Sequence, residues 1–383
     1  MKLLYIYPEI TIKGGADKVI VQKANYFVNN GFDVIVVTES QMGRDFSFPL
    51  DAKVKHVDMA LDFNSQYTCG FFKRAYIYYS LMFKYRWRMD NILTDERPDI
   101  VITTLGRSLD FITDIHDGSA KIGEAHTTKE HLRSLHLMEQ RGGIYKLIAK
   151  LQRNKMSKKV SQLDAIVLLT NQDAENWPEA KRTYVIPNSL PVFPEKFAEL
   201  TNKQVIMVGR YNDAKGYDYL IPAWKLVHQK HPDWILNVYG SGELHDQVVA
   251  WINGNNLSDS IILHEPTSDI MEKYQESSIC VLSSRYEGFS MVLVEAMASG
   301  VPCVSFDCPH GPRTIISNGE DGLLVEYLSS QALADGICKL VDNQNLRGRM
   351  GKKARDNMRR YSQENVMKLW VNLFNSLTKY ENS

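Results

Sequence analysis

Short apolar runs alternate with amphipathic stretches along the chain. In the first half the runs are KLLYIYP, DVIVVTE, DIVITTL, KIGEAH and DAIVLLT, closed by TYVIPN; in the second half the pattern restarts with QVIMVGR, WILNVYG, SIILHEP, ICVLSS and PCVSFD. These runs are β-branched and apolar on both faces, as parallel strands must be when helices cover both sides. Strands that alternate with helical stretches fold through crossovers into an open parallel sheet. Between the halves, PNSLPVFPEKFAELTNKQ carries three prolines and no periodicity, and reads as a linker near residues 187–203. The pattern predicts an α/β protein of two doubly wound, Rossmann-like domains, 1–188 and 189–361, with a cleft between them. The stretch SQENVMKLWVNLFNSLTKY places Val366, Leu369, Trp370, Leu373, Phe374 and Leu377 on one helical face. A helix over about 362–383 must bury that face, and the first domain is the candidate surface.

Length agrees with this division, because 383 residues exceed what one core usually serves. Lys plus Arg and Asp plus Glu balance at 45 each, so no global charge draws nucleic acid. Five cysteines, odd in number and without a C-x-x-C pair, disfavour a disulfide framework and a zinc site. No run of about 18 apolar residues occurs, and MKLLYIYPEITIKGG is too strand-like for a signal peptide. The expectation is a cytoplasmic protein.

Open parallel sheets bind ligands beyond the carboxyl ends of their strands. After the first strand, Gly14-Gly15 lead into a helix whose apolar face includes Val19, Ala24 and Phe27, offering close backbone approach and unpaired amides to an anion. The same pair is equally compatible with an ordinary tight turn. It is not the dinucleotide fingerprint, so NAD is disfavoured. After the first strand of the second domain, Arg210 and Lys215 share one loop, where a guanidinium fork and an ammonium can converge on a diphosphate.

The stretch RYEGFSMVLVEAMASG sets Glu295 among residues that all favour burial. Ser290 is the expected N-cap and Gly300 the expected C′ residue, giving a buried helix from about Met291 to Ser299. A buried carboxylate without partners costs several kcal/mol, so Glu295 must be paired or must accept hydrogen bonds from a ligand. Glu287 lies before the positive end of this helix. One carboxylate then reaches hydroxyls beyond the helix start and the other reaches hydroxyls along its side, with amides at Ser290 and Met291 between them for phosphate. A nucleotide sugar presents its groups in that order.

EGFSMVLVE resembles the E-x7-E motif of retaining glycosyltransferases of GT-B architecture, specifically family 4. GGADKV, GEAHTTKEH, YVIPNSL, VGRYNDAKG, YGSGEL, EAMASGVPCVSFD and GEDGLLV follow in the family's order, so the resemblance covers nearly the whole chain. FDCPHGPRTIISNG further resembles bacterial polysaccharide-assembly transferases.

The resemblance implies a donor site of Gly15, Arg210, Lys215, Glu287, Gly288, Phe289, Ser290, Met291 and Glu295. In it Glu287 takes donor-sugar hydroxyls, Glu295 the ribose, and Arg210 with Lys215 the diphosphate. His126 in GEAHTT resembles the family's histidine beside the reacting sugar, making Glu287, His126, Arg210 and Lys215 the implied catalytic set. It also implies retention at the anomeric carbon, with UDP the commonest nucleotide and GDP an alternative.

The cations and helix amides can stabilise the departing diphosphate. No D-x-D ligand pair occurs in the sequence, so neither metal nor cofactor is expected. The implied acceptor is a glycan or a polyprenyl-linked saccharide of cell-surface polysaccharide synthesis. Residues 71–88 carry five basic and no acidic residues among eight aromatics, and 141–159 carry seven basic and no acidic ones. Such stretches can rest on an anionic membrane surface, placing the protein at the inner face of the cell membrane; nothing else favours nucleic acid. A sugar-nucleotide epimerase of the same fold and a non-catalytic nucleotide-sugar-binding protein are the alternatives.

Overall fold

The computed structural model describes residues 1–11 and 14–379. The chain divides into two compact units, Met1–Pro187 with Met367–Ser383, and Asn188–Val366.

In the first unit seven strands form one sheet: β1 Lys2–Tyr7, β2 Asp33–Thr38, β3 Lys55–Asp58, β4 Ile100–Thr103, β5 Ala120–Glu124, β6 Ala165–Leu168 and β7 Thr183–Val185. Their order is β3-β2-β1-β4-β5-β6-β7, and every pairing is parallel. The central strands are buried on both faces, as their uninterrupted Val, Ile and Leu content requires. On one face the helix Gly15–Asn29 packs beside the helix Gln363–Lys379, whose Trp370, Leu373, Phe374 and Leu377 are all buried. Phe27 and Phe374 meet there with ring centroids 5.4 Å apart.

The second unit holds β8 Gln204–Val208, β9 Ile235–Tyr239, β10 Ile261–His264, β11 Ile279–Leu282, β12 Cys303–Phe306 and β13 Gly322–Val325. The order β10-β9-β8-β11-β12-β13 is again wholly parallel and reverses direction at β8. A reversal sends the crossovers from β8 and β11 to opposite faces and sets the loops after these strands side by side at their carboxyl ends. Its core is built on Trp224, Leu236, Val281 and Phe306.

Candidate functional site

The carboxyl edge of the second sheet gathers the loops after β8, β9, β11 and β12. Two glycines set how closely they approach. A Cβ on Gly240 would stand 1.9 Å from the Gly209 carbonyl oxygen, and one on Gly216 would stand 2.2 Å from that of Ser283. Gly216 also has φ +63, where a side chain is strained. The loop carrying Lys215 is therefore pressed against the loop carrying Glu287. Ser283 Oγ donates to the Lys215 carbonyl at 2.8 Å, the Arg285 amide donates to that of Ala214 at 2.8 Å, and the Arg285 guanidinium forks onto Asp218 at 3.0 and 2.6 Å.

This clamp brings two of the implied residues into direct contact. Lys215 Nζ lies 2.6 Å from Glu287 Oε1, and Ser284 Oγ donates to the same oxygen at 2.7 Å. Both members of the pair stay partly exposed, 18% and 11%. Lys215 thus meets a carboxylate in this state of the molecule, where the sequence reading gave it a diphosphate alone. Arg210 is exposed, and while its carbonyl accepts from the Asn212 amide, its side chain makes no hydrogen bond or ion pair among the described residues, which leaves the guanidinium available to an anion. Tyr211, next to it, is buried, and burial with the nearby Glu265 carboxylate pushes its phenol up to about 12.

Glu287 leads into the helix Met291–Ala298, which begins at Ser290. Ser290 takes the N-cap position, as the sequence suggests, although its side chain makes no capping bond; its hydroxyl is buried without a hydrogen-bond partner among the described residues. At the other end Gly300 has φ +80, its amide donates to Met297, and that of Val301 donates to Ala296, a Schellman closure. Leu293 to Ala298 are buried, Glu295 at 7% exposure among them. The Tyr274 hydroxyl donates to Glu295 Oε2 at 3.4 Å. Burial, reinforced by the Glu295 carboxylate, holds the Tyr274 phenol well above its ordinary range and keeps it a donor.

Gly288 and Met291 are half-buried, and Phe289 is buried edge-on against Tyr361 at 5.3 Å. The loop after β12 closes on the same place: the Gly311 amide donates to the Glu287 carbonyl at 3.2 Å, and a Cβ on Gly311 would come within 2.9 Å of Glu287 Cβ. His310 holds φ +76, a strained value for a non-glycine residue. Ser284, Arg285, Gly216 and Gly311 escaped the sequence reading. Arg285, Gly216 and Gly311 act through partners far along the chain, whereas Ser284 stands three residues before Glu287.

The remaining implied residues belong to the first unit. Gly15 opens the helix Gly15–Asn29 without side-chain capping. His126 follows β5, with Nε2 3.5 Å from Glu124 Oε1; Glu124 in turn pairs with Lys23, both side chains 2% exposed. The Lys23 ammonium lies 4.5 Å from the Trp370 ring centroid. Burial pushes the His126 imidazole below its ordinary value, against Glu124, which favours its charged form. Burial opposes the Glu124 charge too, but Lys23 and His126 outweigh it and hold the carboxyl below the usual range. A cleft of 590 Å³ lined by Leu93, Arg97, Asp99 and Asp117 lies by the start of β4, the edge away from these groups.

Residues 192–357 match the family model described as glycosyl transferases group 1. An uncharacterized glycosyltransferase of Haemophilus influenzae is 33% identical over 216 residues, 55% of this chain and 61% of that protein. The poly(ribitol-phosphate) α-N-acetylglucosaminyltransferase of Staphylococcus aureus is 31% identical over 222 residues, 56% of this chain and 45% of the relative. The chain thus spans less than two thirds of either relative's length. Among solved structures, that of an S. aureus TarM mutant in complex with fondaparinux, α-GlcNAc-glycerol and UDP superposes with a TM-score of 0.78 at 18% identity, covering 98% of this chain and 99% of that one. The second unit is thus similar to the glycosyl transferases group 1 model over residues 192–357, and the chain has the GT-B fold.

Proposed function

We propose that the protein is a retaining, metal-independent glycosyltransferase of the hexosyltransferase type. It moves a sugar from a nucleotide donor, with UDP the nucleotide, to a saccharide or polyprenyl-linked saccharide acceptor in cell-surface polysaccharide assembly. The observation that carries this reading is the carboxyl edge of the second sheet. There Glu287, fixed by Lys215 and Ser284, stands at the mouth of the buried helix that holds Glu295.

On donor binding, Glu287 accepts from hydroxyls of the sugar and Glu295 from those of the ribose. Arg210 and Lys215 face the diphosphate, joined by the amides of Ser290 and Met291, which no intrahelical bond consumes. As the bond from the anomeric carbon to the diphosphate oxygen breaks, negative charge grows on the leaving group, and these groups stabilise it where it forms. Glu287 already fixes the Lys215 ammonium at 2.6 Å, so little reorganisation accompanies the step. The S. aureus relative's activity on a phosphate polymer, and UDP in the TarM complex, support the donor class and a cell-surface acceptor.

Thermal-shift screening against UDP- and GDP-sugars, followed by transfer to saccharide acceptors, tests the proposal. A UDP-sugar should raise the unfolding midpoint and serve as donor. Binding of no nucleoside diphosphate refutes the reading, and conversion of the donor to an isomer without acceptor points to the epimerase.

A further inference from the structure

The helix Phe71–Glu96 buries Tyr85, Met89 and Leu93 in the core of the first unit. Its other side carries Phe72, Tyr76, Tyr79, Phe83 and Trp87 at steps of four, three, four and four, so they form one stripe. Their exposures are 87%, 75%, 71%, 75% and 60%. The helix Gly143–Val160 repeats the arrangement with Ile144, Leu147 and Leu151, exposed by 68%, 57% and 60%.

Strand register shows that the two stripes look the same way. Val101 of β4 is opposite Lys121 of β5, Thr103 is opposite Gly123, and Gly123 is opposite Ile166 of β6. Registered partners in a parallel sheet share a face, and alternate residues along each strand share it too. Val101 packs with Tyr85 and Met89 of the first helix, while Ile166 packs with Met156 and Val160 of the second. Both helices therefore cover one face of the sheet, and both exposed stripes point away from it. Arg86 and Lys159 reach the same carboxylate, Asp114, from the two helices.

Charge decides what such a surface fits. Lys73, Lys84, Lys146, Lys150 and Lys158 are exposed on these helices and form no ion pair among the described residues. A second copy docking stripe to stripe would set these five cations against their counterparts. Aromatic side chains between cations suit the interface of a bilayer, where the rings enter the headgroup layer and the ammonium groups meet anionic lipid. No helix among the described residues is long and apolar enough to cross a membrane.

We infer that the outer faces of the helices Phe71–Glu96 and Gly143–Val160 form a platform that lies flat on an anionic lipid surface, with Tyr76, Tyr79, Phe83 and Trp87 inserted at headgroup depth. The platform is independent of the donor site, so either can fail without the other. The test is sedimentation of the full chain with vesicles of phosphatidylcholine alone and of phosphatidylcholine with phosphatidylglycerol. Anionic vesicles should bind at least about tenfold more tightly, since each basic residue near such a surface contributes roughly fivefold.

By the same factor, Lys84→Glu/Lys146→Glu/Lys150→Glu should weaken anionic binding at least about 100-fold. Tyr79→Ser/Phe83→Ser/Trp87→Ser should abolish it, with nucleotide binding unchanged in both variants. Tryptophan emission should shift to the blue on anionic vesicles, and Trp87→Phe should remove most of that shift. Equal sedimentation of all three proteins overturns the inference. So does a stripe-dependent dimer in sedimentation equilibrium, or single-stranded RNA that binds the platform and displaces the vesicles.

Discussion

Replacing Lys23 by Met should destabilise the first unit more than replacing both members of its ion pair. Lys23 and Glu124 are each 2% exposed, roofed by the indole of Trp370, and the second carboxylate oxygen of Glu124 has no hydrogen-bond partner among the described residues. Without Lys23 the carboxylate loses its lysine partner and keeps the neutral His126 imidazole and the Tyr5 phenol near it. Loss of one partner of a buried pair costs about 3–5 kcal/mol. Protonation caps that cost: neutralising a glutamate of ordinary pKa ~4.3 takes about 3.7 kcal/mol at pH 7 and about 1 kcal/mol at pH 5.

Lys23→Met should therefore lose roughly 3–4 kcal/mol at pH 7, and the loss should shrink towards pH 5. In the wild type the sign is opposite. Glu124 has its carboxyl depressed, so its contribution is present above the unfolded value and fades as acid titrates it in the folded state. Lys23→Met/Glu124→Gln leaves no buried charge and should recover most of the stability. Hydrogen exchange of peptides covering β1 and β5, at both pH values, reports the first unit alone. A single variant within about 1 kcal/mol of wild type at pH 7, or a penalty that ignores pH, would refute the reasoning.

Glu287→Gln and Lys215→Ala should each lower transfer by about 100-fold or more while the chain stays folded, as read by initial rates beside circular dichroism. Transfer should survive EDTA; strict dependence on added Mn²⁺ would contradict the electrostatic mechanism. Gly216→Ala meets both a positive φ and the Ser283 carbonyl, so urea unfolding should show a loss above roughly 2 kcal/mol. The His126 imidazole should titrate below 6.5 by NMR, and lower still in Glu124→Gln. Because its folded value is depressed, stability present above pH 6.5 should decline as pH falls through that value. A midpoint at or above 6.5 would count against this burial.

The central strands were readable because cover on both faces demands unbroken apolar runs. β3 and β13 were not read as strands: each is an outermost strand, and KHVD of β3 is partly exposed along its length. At the site, the spacing of Glu287 and Glu295 around a buried helix was visible in the sequence. Their partners were not, since Tyr274 and Lys215 approach them only through tertiary packing. Lys23 was the least legible residue. On its helix it resembles an ordinary solvated lysine, and its burial depends on Trp370 from a helix at the far end of the chain.

That far helix separates the order of synthesis from the order of assembly. An emerging chain presents β1 to β7, then the entire second unit, before the ribosome releases Trp370 and Phe374 to seal the earlier module. Nascent domains usually fold as they appear, starting from the N-terminus. Here the module made first must wait with a lysine and a glutamate uncovered, and its final consolidation falls after that of the module made second.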